Sequence, residues 1–319
     1  MTIRRRERSR GARPWLTRED LRFGAELPIL ALAAAAVPER RWPAFCRRLE
    51  AAKASLGFFD PAPVARIAKR VLGPGEPGFD ALGFALASAA GRSEHHLQIL
   101  KAVAPGGWNA PIDLVGREHL DAALAAGRGT VLWVAHFCFN ALATKKALAD
   151  AGYRAWHMSR PEHGFSKSRL GIATVNRIRV RAELAHLAGR IVIDREKPMS
   201  ATLAAQRELK RNGIVSITAG AWEGQRLAGV DLLGGTLELA VGAPGLARLA
   251  GAALLPVFAV RDDDGALRVT LDAPIPVARE GEADAALQEA AQRFAERLGP
   301  WIRRYPSQWR DWKNLRLAG

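Results

Sequence analysis

Thr130-Val131-Leu132-Trp133-Val134-Ala135-His136 is the stretch on which the fold turns. An apolar run of strand length, without helical spacing, leads straight into a histidine, which is the pattern of a strand buried on both faces. Asn140 to Ala151 follows at helical spacing and Gly152 stops it, completing a βα unit. Downstream, Tyr153 to Ser159 and Arg190 to Asp194 read as strands, the second leading into a helix from Pro198 to Asn212 with Gly213 beyond its end. Ile214 to Thr218 is the next strand; a Gly-rich loop then leads to strand-like Thr236 to Leu239, a short helix opened by Pro244, and the strand Ala253 to Val260. Arg268 to Leu271 reads as a hairpin partner of that strand, and Ala283 to Arg304 as an amphipathic closing helix. The alternation predicts an α/β protein with a largely parallel central sheet, helices on both faces, and ligands off the carboxyl ends of the strands, where His136 sits.

Upstream of Pro105-Gly106-Gly107, the reading is of helical segments joined by turns, among them the breaker cluster Gly73 to Gly78. The expected division is a helical N-terminal region, 1–105, and an α/β domain, 106–319. The apolar run Leu27 to Val37 is eleven residues long and contains Pro28. It falls short of the roughly 18 apolar residues of a spanning helix. An Arg-rich stretch before it resembles a signal peptide, but Glu19, Asp20 and Glu26 argue against export. With Arg40, Arg41, Trp42, Arg47 and Arg48 beside it, 27–37 suits a helix lying at an anionic membrane surface, and equally a helix packed on the core.

Composition narrows the function. The 319 residues carry 47 Lys and Arg against 32 Asp and Glu, a net charge of +15, which favours phosphates, anionic lipid surfaces or acidic proteins as partners. Residues 1–50 supply +6 and residues 301–319 supply +4, so the excess sits mostly at the two ends. The aromatics Trp301, Tyr305, Trp309 and Trp312, interleaved with cations, could stack bases. A split basic excess with no recognisable module between its halves argues against nucleic acid. Cys46 and Cys138, far apart, build neither a disulfide framework nor a thiolate zinc site, and the seven histidines show no HExxH spacing. A metalloprotease is therefore not expected.

A histidine directly after a buried strand is well placed as a general base. Around it the sequence, from about Val115 to Trp312, resembles the lysophospholipid acyltransferase superfamily, and within it the branch that acylates lipid A precursors. Val131 to Phe137 resembles the strand leading into that family's catalytic His, and Ser159-Arg160-Pro161 its Arg-Pro segment. Leu232-Leu233-Gly234-Gly235 is similar to the loop before its second strand pair, Gly251 to Val257 to its late core strand, and Tyr305-Pro306-Ser307-Gln308-Trp309 to its closing motif. The resemblance implies a glycerol-3-phosphate acyltransferase-like fold and transfer of an acyl group from a coenzyme A or acyl carrier protein thioester. The acceptor would be a hydroxyl or amine of a lipid or related metabolite. It implies no metal, no tightly bound organic cofactor, and an address at the cytoplasmic face of the inner membrane.

The family signature places Asp or Glu at the fifth position after the His, where it orients the imidazole. Here that residue is Ala141. Glu223, after the strand ending at Thr218, is the leading candidate to replace the lost acid, with Asp194 and Glu162 behind it. Phosphate-compatible donors are dense in Arg160, Lys167 and Arg169, and Arg195 and Arg226 are expected from loops near the same strand ends, with Gly220 in the loop after the fourth strand. His157 and His163 form a possible second acid/base pair, and Cys138 reads as a small buried hydrophobe rather than a nucleophile. The loss at position 141 also admits a catalytically silent protein that binds a lipid, an acyl chain or a carrier protein. A carboxylate close to His136 in space would favour the enzyme.

Overall fold

The computed structural model describes residues 3–6, 13–75, 78–194, 196–220 and 224–317. Among the described residues, the short strand β1 (Arg4–Arg5) is followed by four helices, α1 (Arg18–Ala36), α2 (Trp42–Ser55), α3 (Ala62–Leu72) and α4 (Ala81–Val103). Then strands and helices alternate: β2 (Ile112–Val115), α5 (Arg117–Ala125), β3 (Thr130–Val134), α6 (Ala143–Asp150), β4 (Ala155–Ser159), α7 (Arg169–Ala173), α8 (Val175–Leu184) and β5 (Gly189–Val192). The chain continues through α9 (Pro198–Lys210), β6 (Ile214–Thr218), β7 (Arg226–Leu232), β8 (Gly235–Ala240), α10 (Gly242–Ala250), β9 (Ala253–Arg261), β10 (Leu267–Leu271), α11 (Ala283–Arg304) and β11 (Arg316–Leu317).

The main sheet has seven strands in the order β2-β10-β9-β3-β6-β4-β5. Every pairing is parallel except the β9–β10 hairpin. The expected α/β architecture is thus the observed one. β3 lies at the centre, in register with β6 (Val134 opposite Thr218) and β9 (Val134 opposite Val257), so the carboxyl ends of three strands meet at one point. Its residues alternate between two cores. Val131 and Trp133 face α9, α10 and α11, with Trp133 stacked on Phe294 at 4.2 Å, while Leu132 and Val134 face α4 and α6. Burial on both faces explains the uninterrupted apolar run.

The sequence reading differs at three places. β2 precedes the first expected strand; it is an edge strand whose four residues alternate between half-buried and exposed, too short a pattern to stand out. The Gly-rich loop before Thr236 contains β7, which pairs with β8 across a tight turn where Leu233 (φ 52°) and Gly234 (φ 74°) both adopt left-handed backbone. These strands form a second sheet, β1-β7-β8-β11, packed on α11. The helix expected from Asn140 begins at Ala143, because residues 138–142 form turns behind His136.

In α1, Leu30, Ala33 and Ala34 are buried while Leu21, Ile29 and Leu32 are exposed, so the run 27–37 is both a core face and an open apolar face. Trp42, grouped with the surface arginines in the sequence reading, is instead 1% exposed, and its indole N–H donates to Val37 O at 2.9 Å. Trp309 and Trp312 are likewise core residues at 1% exposure, which removes the base-stacking surface the C-terminal aromatics suggested.

Candidate active site

His136 stands two residues beyond β3, where Ala135 N still donates to Val257 O at 2.8 Å and ties the exit to β9. The backbone of residues 136–138 is then bracketed by the segment after α11. Cys138 N donates to Gln308 O at 2.8 Å, Arg310 N donates to His136 O at 3.0 Å, and Phe137 bridges Trp309 in antiparallel fashion. Gln308 anchors that segment in turn: its side-chain oxygen accepts from Arg261 N at 2.8 Å and its amide donates to Arg261 O at 2.7 Å, at the end of β9. Trp309 and Trp312 pack edge to face at 5.0 Å, and Trp312 Nε1 donates to Pro306 O at 2.9 Å.

This bracket delivers a carboxylate. Asp311 Oδ1 lies 3.0 Å from Nδ1 of His136 and also accepts from Asn314 Nδ2 at 3.0 Å. The imidazole side chain is 16% exposed and the carboxylate 7%. With Nδ1–H donated to Asp311, the lone pair resides on Nε2, the tautomer a general base requires. Burial lowers the His136 pKa; Asp311 opposes that shift, while the nearby charges of Arg310 and Arg179 add to it. The ring is therefore neutral and basic at neutral pH. Asp311 was absent from the sequence candidates because a rule of spacing looks five residues ahead, whereas this acid arrives 175 residues later. Its one signal was its place two residues after Trp309 of the closing motif.

The structure disperses the other candidates. Glu223 and Arg195 lie outside the described residues. Asp194 is exposed and accepts from Glu196 N in a local turn, and Glu162 is buried and paired with Arg13. Gly220 is near the dyad: Ala219 N donates to Val134 O at 2.7 Å, and Gly220 O accepts from Ala240 N at 3.1 Å. Arg160 follows β4, and its carbonyl accepts from Arg190 Nη2 at 3.2 Å; Arg190, which no motif marked, also donates twice to Ser159 Oγ. Lys167 is exposed on the loop that Asn176 holds by accepting from the backbone N–H groups of Phe165 and Ser166, and Arg169, exposed as well, is the first residue of α7. Arg226 begins β7 of the second sheet and pairs with Asp284 of α11, so its charge is answered by a neighbouring carboxylate rather than held for a ligand.

Beneath β4 and β6 lies a buried ionic network. Glu183 accepts from Lys145 Nζ at 2.5 Å, His163 Nε2 at 2.7 Å and Arg179 Nε at 2.7 Å, and His157 Nδ1 lies 2.9 Å from Ser216 Oγ. Although burial acts to raise it, the Glu183 pKa is held well below the carboxylate range by His163, Lys145 and Arg179. His157, His163 and Glu183 come close enough to share an ion. Two cationic side chains already sit on that carboxylate, so the donor set suits an ion-pair core better than a metal. Cys138 is buried and its thiol pKa is raised by burial, which leaves it protonated and unreactive.

In comparison with known families, the model of the bacterial lipid A biosynthesis acyltransferases matches residues 94–314, more than half of the chain. That span begins within α4 and includes both His136 and Asp311. No curated protein matches the sequence.

Proposed function

We propose, since the chain belongs to the bacterial lipid A biosynthesis acyltransferase family, that it transfers an acyl group from a coenzyme A or acyl carrier protein thioester to a hydroxyl or amine of a lipid. The observation that carries this reading is the 3.0 Å contact between His136 Nδ1 and Asp311 Oδ1. Nε2 removes the proton from the acceptor as its oxygen or nitrogen attacks the thioester carbonyl. The tetrahedral intermediate then expels the thiolate, which receives the proton from the imidazolium, so the base is regenerated with no metal or organic cofactor. Asp311 holds the tautomer and stabilises the transient positive ring, the part that a carboxylate five residues after the His would otherwise play. A carboxylate against the imidazole favours the enzyme over the catalytically silent binder.

The same reading includes a peripheral site of action at the cytoplasmic face of the inner membrane. Among the described residues, no helix is long and apolar enough to cross a membrane. Trp15, Leu21, Ile29, Leu32, Leu56 and Phe58 are each at least half exposed, near exposed Arg18, Arg22, Arg40, Arg41, Arg47 and Arg48. An open apolar stripe rimmed by arginines suits anionic headgroups.

Two experiments test these statements. Transfer from radiolabelled acyl thioesters to a membrane lipid extract should fall about 10²–10⁴-fold in His136→Ala. Equal product from both proteins removes the catalytic claim. In vesicle flotation, wild type should rise with liposomes containing anionic lipid, and a Leu21→Ser, Ile29→Ser, Leu32→Ser variant should stay in the dense fraction. Co-flotation of that variant would show that the stripe does not dock.

A further inference from the structure

The carboxylate of Asp311 carries a second donor on the same oxygen that meets the imidazole. Oδ1 lies 3.0 Å from His136 Nδ1 and accepts from Asn314 Nδ2, also at 3.0 Å. The second donor comes from within one turn of chain: Asn314 N donates to the carbonyl of Asp311 at 2.8 Å, at the end of the 3-10 turn Trp312–Asn314. Among the described residues, the hydrogen bonds of Asn314 are to Asp311 alone. Asn314 is exposed, so core packing places no demand on its identity.

The fold pins this turn from both sides. Before and within it, buried Trp309 bridges Phe137, and buried Trp312 packs edge to face on Trp309 and, at 5.5 Å, on Phe84 of α4. After it, Leu315 is buried, and Arg316 and Leu317 of β11 pair with Thr236 and Gly235 of β8. That approach is so close that an added Cβ on Gly235 would meet Arg316 O at 2.6 Å. The Asn314 backbone is therefore fixed by its neighbours, and its amide is aimed in advance. The Asp311 carboxylate is not: its terminal torsion has a broad, roughly two-fold profile, so hydrogen bonds must set its plane. A neutral amide suits that task. It directs one oxygen at Nδ1 yet leaves the carboxylate its charge, whereas a Lys or Arg donor would cancel the field that stabilises the protonated ring.

We propose that Asn314 is a positioning residue for acyl transfer, its side-chain amide fixing the Asp311 carboxylate so that Oδ1 stays on His136 Nδ1 and the dyad becomes a three-member relay. The proposal rests on the acyl-transfer reading. Asn314 acts only through Asp311, and two consequences follow. Without the amide the carboxylate turns on its own bond, the ring proton is shared between Nδ1 and Nε2, and the lone pair needed on Nε2 is present only part of the time. Binding of acceptor and thioester, neither of which Asn314 contacts, is left alone, so the loss falls on kcat.

The test uses the full chain, in the transfer assay and by nitrogen NMR of the imidazoles. In Asn314→Ala, kcat should fall about ten- to hundredfold with KM for both substrates unchanged. In an Asp311→Asn background the same substitution should bring no further loss, because nothing is left for the amide to hold. The acidic limb of the pH–rate profile should move to lower pH in Asn314→Ala, since a carboxylate turned away no longer opposes the effect of burial on His136. Asn314→Asp, which removes the donor but adds an anion, should also lose rate while moving that limb to higher pH. On the basic side of the limb, nitrogen shifts should show His136 with its proton on Nδ1 in the wild type and a mixture of tautomers in Asn314→Ala. An unchanged kcat or tautomer in Asn314→Ala, or a full further loss in the Asp311→Asn background, overturns the proposal. The tautomer measurement needs no turnover, so a wild type that transfers nothing while Asn314→Ala still mixes the tautomers removes the reaction and keeps the relay.

Discussion

Asp311 makes a sharp claim about one proton. It accepts from Nδ1 of His136 and opposes the fall in pKa that burial imposes on the ring. In Asp311→Asn, transfer should drop by about 10²–10⁴-fold, because an amide can donate to Nδ1 and stabilise the wrong tautomer. The acidic limb of the pH–rate profile should move to lower pH as well, since removing the anion leaves burial, Arg310 and Arg179 unopposed. A measured profile with unchanged position and height would mean that Asp311 does not support the ring. The base was legible in the sequence, because a histidine after a buried strand has few structural reasons to be there. Its acid was not, because side chains brought together by tertiary packing leave no local pattern.

At the scale of elements, the segment 305–317 acts as the clasp of the site. Trp309 is 1% exposed, and cutting it back to Ala should cost about 3–5 kcal/mol. Denaturant melts would check that value. Activity should fall further than stability accounts for, since Phe137 and Trp309 pair directly in front of Asp311. Strands β3, β4, β6 and β9 could be read from apolar runs, and the helices from their spacing and from Pro and Gly punctuation. β7 could not: Gly229 and Asp231 interrupt its apolar pattern, and only pairing with β8 and packing on α11 make it a strand. The run 27–37 was ambiguous between a surface and a core helix for a physical reason, since α1 presents a buried face and an open one.

For the whole molecule, the relevant quantity is how many imidazoles are held neutral. His95 and His157 are buried, and burial first, with neighbouring cations second, drives both well below the ordinary value near 6.5. The unfolded chain takes up protons as pH falls through about 6.5, while the folded chain resists until far lower. Stability is therefore fully present above about 6.5 and is lost as pH falls toward the folded-state values, with a slope of up to about 1.4 kcal/mol per pH unit for each imidazole. Tm should decline from pH 7 to pH 5, and His157→Gln should flatten that decline; an equally steep curve in the variant would contradict the assignment. The net charge of +15 was plain in the composition, yet its use was not. Terminal arginines dominate the count, and of the two that act on His136 one, Arg310, is terminal while the other, Arg179, comes from α8.

Phe23 of α1 stacks on Phe165 at 4.8 Å and meets His96 edge-on at 5.3 Å, and Arg169 N and Leu170 N donate to the carbonyls of Pro14 and Trp15. The helix that shows apolar residues to the outside is thus also packed against the segment between β4 and α8 and against α4. Should α1 lie against a lipid layer, as the acyl-transfer reading proposes, any tilt of it would be passed through Phe23 and Phe165 to the segment that follows β4, so that touching an interface and adjusting the ground beside the strand ends would be one mechanical event.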